Sequence, residues 1–110
     1  MTNFTKFDTE CQVIIKSARI IVKHLNIKVK GRVQGVGFRY SALHAARSYG
    51  ICGFVRNEAD GSVYIEAEAE QIKLDLFLDW CRRSPGHSRV DNVQQTESNI
   101  QGFGDFRVLH

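Results

Sequence analysis

Across the nine residues Gly31-Arg32-Val33-Gln34-Gly35-Val36-Gly37-Phe38-Arg39 the apolar spacing of this chain changes period. Before them Leu25, Ile27 and Val29 alternate with Asn26, Lys28 and Lys30, the pattern of a half-buried strand. After them Phe38, Ala42, Ala45, Ala46 and Tyr49 form one helical stripe. A strand that turns so abruptly into a helix is the start of a crossover. The strand that follows the helix is therefore expected to run parallel to the first and to end on the same edge of the sheet.

The remaining elements read in order. Gly50 stands where a helix over 38–49 would end, and 51–57 is a strand with Ile51, Gly53 and Val55 opposite Cys52, Phe54 and Arg56. Glu58-Ala59-Asp60-Gly61 closes on the Asp-Gly pair that hairpins favour, and Val63, Ile65 and Ala67 alternate with Tyr64, Glu66 and Glu68 over 62–69. A second helix over 71–83 carries Leu74, Phe77, Leu78 and Cys81 on its inner stripe and stops at Ser84-Pro85-Gly86. Strands over 89–98 and 105–109 finish the chain.

The order β-α-β-β-α-β predicts an α+β fold, the ferredoxin-like split βαβ sandwich: an antiparallel sheet with two helices on one face, the other face wet, and a short extra C-terminal strand. Residues 25–110 are read as this domain and residues 1–24 as an N-terminal extension, flexible or peripheral. Within it, 1–10 are polar and without period, while 11–24 fit helical spacing through Ile14, Ala18, Ile21 and Leu25 but are rich in the β-branched residues of strands.

Glycines at 31, 35 and 37 allow the loop to approach a ligand closely, and amides converging ahead of a helix N-terminus suit an anion. Arg39, a cation in the first helical turn, opposes the helix dipole, and bidentate binding of an anion would account for it. The loop alone leaves two readings open, an anion site and a plain turn. Asn57, at the end of the second strand, opens onto the same edge, where open α/β sheets place ligands.

Composition narrows the alternatives. Lys6, Lys16, Arg19 and Lys23 against Asp8 and Glu10 give residues 1–24 a charge of +2, and 11 basic against 10 acidic side chains leave +1 on residues 25–110. A nearly neutral domain lacks the basic face of a general nucleic-acid binder. No apolar run reaches membrane-spanning length, and Lys16, Arg19, Lys23 and His24 interrupt any signal-peptide core. Cys11, Cys52 and Cys81 are odd in number and form no C-x-x-C pair, which argues against a disulfide framework or a thiolate zinc site and predicts free thiols, buried or, for Cys11, a bystander in the tail, in a cytoplasmic protein.

Other side chains are read as structural. His24, His44, His87 and His110 show no metal spacing and are expected on the surface or on a helix face. Asp60 is expected to make its turn, and Glu66 and Glu68 to be the solvated face of a strand. Ser41 and Ser62 have no neighbouring base, Gly35-Val36-Gly37 lacks the third glycine of a dinucleotide fingerprint, and no Walker lysine follows.

Two segments together carry a more specific signal. The loop 31–39 and Gly53-Phe54-Val55-Arg56-Asn57-Glu58-Ala59-Asp60-Gly61-Ser62-Val63 closely resemble the two signature segments of the acylphosphatases. The likeness extends over 25–110 through Trp80-Cys81-Arg82-Arg83, Arg89-Val90-Asp91-Asn92-Val93 and Gly102-Phe103-Gly104-Asp105-Phe106-Arg107-Val108. It implies a small enzyme that hydrolyses acyl phosphates without metal or cofactor, with phosphate or other oxyanions as site ligands; a monomer that binds neither nucleic acid nor membrane is expected alongside. In that family the backbone amides corresponding to Gln34, Gly35, Val36, Gly37 and Phe38 cradle the phosphate, the arginine at Arg39 clamps it, and the asparagine at Asn57 positions the attacking water.

Two competing readings come from other classes. In an RNA-binding sheet Phe54 and Tyr64 would stack bases while Lys28, Lys30 and Arg56 met phosphates, though Glu66 and Glu68 oppose a nucleic-acid backbone. An anion-binding regulatory module would hold phosphate without turnover.

Overall fold

In the computed structural model, residues 21–110 are described. The expected tail over 1–10 and the undecided stretch over 11–20 lie outside them. The first strand, β1, spans Val22–Arg32, so it begins three residues inside the expected extension. It is followed by α1 (Phe38–Tyr49), β2 (Cys52–Asn57), β3 (Val63–Glu70), α2 (Gln71–Arg82), β4 (Arg89–Ser98) and β5 (Phe106–Val108). The fold is the expected ferredoxin-like α+β arrangement with its extra C-terminal strand.

The sheet order is β4-β1-β3-β2-β5. Because β3 is antiparallel to both β1 and β2, these two run parallel and end on one edge, as the crossover requires. The sheet as a whole is mixed, since β5 lies parallel to β2. Helix α1 ends in a Schellman closure, with the Ile51 amide donating to the Ala46 carbonyl at 2.8 Å and the Gly50 amide to the Arg47 carbonyl at 3.2 Å.

One sheet face is fully covered. Leu25, Ile27 and Val29 of β1, Val55 of β2 and Val63, Ile65 and Ala67 of β3 pack with Phe38, Ala42 and Ala46 of α1 and Leu74, Phe77 and Leu78 of α2 in one buried cluster. Each large side chain removed from water here contributes about 1.5–3 kcal/mol. Trp80 stacks on Phe77 (centroids 5.7 Å apart) and tilts against Phe38 (5.6 Å), joining the two helices.

The other face is not simply wet, which corrects the expectation for Glu68 and His24. The bend leading into β5 folds back over it, and Phe103 meets Phe54 edge-on at 5.8 Å and lies 5.7 Å from the His24 ring. His24 is 1 % exposed and Glu68 5 %. His24 places Nδ1 2.7 Å from Glu68 Oε2, and Nε2 3.0 Å from Glu66 Oε1 and 3.1 Å from Asn26 Oδ1. Glu68 also accepts from the backbone amides of Gln101, Gly102 (3.1 Å) and Phe103 (3.2 Å). Burial pushes the Glu68 carboxyl up, but the Gln101 amide, His24 and the other two amides outweigh it and leave the group below the ordinary carboxylate range.

A carboxyl with a lowered folded-state pKa stabilises the fold above its unfolded pKa and loses that contribution as pH falls through the folded value. Melting temperature is therefore expected to drop as pH is lowered below about 4.5, the ordinary glutamate value, and to drop less steeply in Glu68→Gln. Calorimetry between pH 3 and 7 checks this, and parallel acid profiles for the two proteins would show that Glu68 is not responsible.

Cysteine usage departs from the expectation of three thiols. Cys81 is free and buried in α2, whereas Cys52 is disulfide-bonded. Pairing of this kind is not visible in spacing, and it removes the cysteine argument for a reducing compartment. Among the described residues no helix is long and apolar enough to cross a membrane.

Candidate active site

The loop 31–37 begins beside a bulge in the strand pairing. The β1–β4 register shifts between Lys30, opposite Asn92, and Gly31, opposite Val90, so that Asp91 of β4 is the extra residue, while Gly31 and Arg32 stay paired to the end of β1. Gly31, Gly35 and Gly37 take φ of 137°, 75° and 78°, so the positive-φ backbone expected of the loop is present. Gly37 is the N-cap of α1 in left-handed conformation and offers no side-chain cap. The first amides of the helix are therefore left to another acceptor. Among the described residues the amides of Gln34, Gly35, Val36 and Gly37 likewise donate to no protein group.

The loop is fastened to the end of β2 by a contact that sequence spacing does not reveal. Gln34 Nε2 donates to the carbonyls of Glu58 and Ser62, both at 2.8 Å. These carbonyls also close the turn, with the Glu58 amide on Ser62 O at 2.9 Å and the Gly61 amide on Glu58 O at 3.2 Å. Asp60 makes the turn as expected, accepting from the Ser62 amide and hydroxyl and pairing with Lys28 Nζ at 2.8 Å. The Lys28 contact first, then Ser62, holds the Asp60 carboxyl well below the usual carboxylate range.

Arg39 is fastened from the other side. Its Nη1 donates to the Leu109 carbonyl at 3.1 Å and to His110 Nδ1 at 3.3 Å, while the Leu109 amide donates to Val55 O at 2.8 Å. Val55 lies two residues before Asn57 on β2, so the loop, the arginine and the end of β2 are tied into one corner. Among the described residues Nε and Nη2 of Arg39 meet no protein acceptor, which leaves most of the guanidinium fork free. Asn57 is exposed, its backbone paired opposite Val63, and its side-chain amide has no protein partner among the described residues.

The structure thus brings the strand ends bearing Gln34 to Phe38, Arg39 and Asn57 to one edge, as the parallel β1 and β2 predict. Leu109 and His110 were not legible in the sequence, because their partner lies 70 residues away. No group of three or more His, Cys, Asp or Glu arranged for a metal ion occurs among the described residues. What remains at this sheet edge is a set of unpartnered N–H donors and one neutral side-chain amide, groups suited chemically to hold a tetrahedral oxyanion and a water.

A sequence model of the acylphosphatase family matches residues 25–108. The chain is 42 % identical to the acylphosphatase of Thermotoga petrophila over 89 residues, 81 % of this chain and 99 % of that one. It is 46 % identical to that of Mannheimia succiniciproducens over 83 residues, 74 % of this chain and 92 % of that one. The crystal structure of acylphosphatase from Bacillus subtilis superposes with a TM-score of 0.78 at 34 % identity, covering 82 % of this chain and all of that one. The chain belongs to the acylphosphatase family.

Proposed function

We propose that this protein hydrolyses the carboxyl–phosphate anhydride of acyl phosphates, releasing a carboxylate and inorganic phosphate. The observation that carries this reading is the convergence, at one sheet edge, of unpartnered loop amides, the free part of the Arg39 guanidinium and the unpartnered Asn57 amide. In this reading the amides of Gln34, Gly35, Val36, Gly37 and Phe38 and the fork of Arg39 bind the phosphoryl oxygens. Asn57 accepts from a water through its carbonyl and aligns it with phosphorus.

The chemistry needs little else. Water attacks phosphorus, the bond from phosphorus to the bridging oxygen breaks, and its electron pair leaves on a carboxylate whose conjugate acid has a pKa of about 4. No general acid is required. Phosphoryl transfer depends chiefly on positioning and on stabilising charge over the equatorial oxygens, which amides and one guanidinium supply. Asn57 is no base at neutral pH, so the water's proton passes to a phosphate oxygen or to solvent.

Nothing in this scheme calls for a metal, and the first test is benzoyl phosphate hydrolysis with a chelator present. Wild type is expected to turn over, and Asn57→Ala, an exposed truncation with little effect on stability, to lose about 10²-fold in kcat. Folded wild type that binds phosphate but leaves benzoyl phosphate intact would favour the non-catalytic module. Against the RNA reading, Arg56 lies over the Phe54 and Tyr64 rings at 5.6 and 4.8 Å and pairs with Glu58, and Phe103 meets Phe54 edge-on.

A further inference from the structure

The Glu68 carboxylate is a buried group with more hydrogen-bond donors than a strand side chain needs. Its Oε2 receives His24 Nδ1 and the Gln101 amide, and its Oε1 the amides of Gly102 and Phe103. Three consecutive amides aimed at one carboxylate make an anion nest built from the chain itself, so the carboxylate sets the conformation of that bend. A buried charge is tolerated only when it is paired in this way.

The bend is the lead-in to β5. Two residues beyond Phe103, the Asp105 carbonyl receives the Gly53 amide at 2.8 Å. Then Phe106, Arg107 and Val108 pair in parallel with Gly53, Phe54 and Val55. The Leu109 amide bonds Val55 O, and Leu109 O and His110 Nδ1 receive Arg39 Nη1. A three-residue parallel edge ladder has little registry of its own. Phe106 anchors its start in the core, 6.3 Å from the Phe77 ring, and the segments on either side are held by the Glu68 nest before it and the Arg39 contact after it.

Glu68 itself stands well away from the loop. Val63, the β3 residue opposite Asn57, precedes it by five positions, about 17 Å along a strand.

We propose that Glu68, with His24 as its hydrogen-bond partner, is a positioning residue for the phosphate site, acting through residues 101–110 on the guanidinium of Arg39. This rests on the reading of Arg39 as the phosphate clamp. Relaxing the nest lets β5 shift, the Leu109 carbonyl withdraws, and Arg39 loses the contact that aims it.

The test uses the full chain as wild type, Glu68→Gln, His24→Gln, Arg39→Lys and each of the first two combined with Arg39→Lys. For each, the folded fraction is determined first, then kcat/KM for benzoyl phosphate and the Kd of inorganic phosphate are measured per folded molecule. Glu68→Gln is expected to lose about 10-fold in kcat/KM and to bind phosphate more weakly. His24→Gln, which keeps all three amide bonds to Glu68 and serves if the first variant does not fold, is expected to lose about 3-fold.

In the Arg39→Lys background both losses are expected to shrink below about 2-fold, the non-additivity of residues acting through one another. A purely structural role would lower the folded fraction alone, or cost the same factor in both backgrounds, and either result overturns the proposal. So does wild-type kcat/KM and phosphate affinity in both folded single variants, with the proposed activity left standing. A wild type that binds phosphate without hydrolysing it sinks the proposed activity instead, and the phosphate Kd series then decides the positioning role. Failure of wild type to bind phosphate at all removes both.

Discussion

Arg39→Lys is expected to lower kcat/KM for benzoyl phosphate by about 10²–10³-fold while the melting temperature stays within a few degrees of wild type. The charge is kept, so a simple attraction between cation and dianion would survive the change. What is lost is the planar fork: Nη1 is committed to the Leu109 carbonyl and His110, and the other guanidinium nitrogens are the ones left to meet two phosphoryl oxygens. An ammonium cannot serve the tether and the oxyanion in the same geometry. The side chain is only half-buried and its one tether joins exposed groups, so little stability should go with it. Steady-state kinetics with a thermal melt on the same preparation checks both halves; an Arg39→Lys variant within about fivefold of wild type would mean that charge alone suffices.

The second large effect concerns stability. Gly53 sits in β2 at φ 149°, and a Cβ placed there would stand 1.8 Å from the Glu66 carbonyl oxygen and 2.7 Å from its carbon, both backbone atoms of the neighbouring strand. Neither neighbour can give way without separating β2 from β3, and the same residue donates to Asp105 O on the β5 side. Gly53→Ala is expected to cost more than about 4 kcal/mol, against a total of about 5–15 kcal/mol for a domain, so little folded protein should remain. Urea unfolding followed by circular dichroism measures it. A variant with a midpoint close to that of wild type would show that the sheet repacks around a methyl group after all.

Much of this architecture is written locally. The helical stripe Phe38, Ala42, Ala46 and the stop at Gly50 place α1 where the structure has it, and the alternation through Val63, Ile65 and Ala67 places β3. Val22 to His24 were ambiguous because their apolar spacing satisfies two periods; pairing with Glu70, Ala69 and Glu68 across β3 decides for strand. Alternation also assigned Glu68 to the correct face and gave the wrong surroundings, because the bend that buries it arrives from residues 101–103, more than thirty positions away. The glycines and Arg39 announced an anion site without deciding it. The supports of that site, the Gln34 amide on two carbonyls and the Leu109 carbonyl on Arg39, span 24 to 70 residues and have no local signal.

The Gln34 amide has one more consequence. By bonding two carbonyls of the β2–β3 turn it makes the loop's order a property of the hairpin rather than of the loop. Ordering entropy is then spent when the chain folds, and in the proposed reading an arriving oxyanion would meet amides already in place. The loop should accordingly exchange its protection and lose its shape with the hairpin as one cooperative unit on warming, instead of fraying ahead of it as a free surface loop of glycines does.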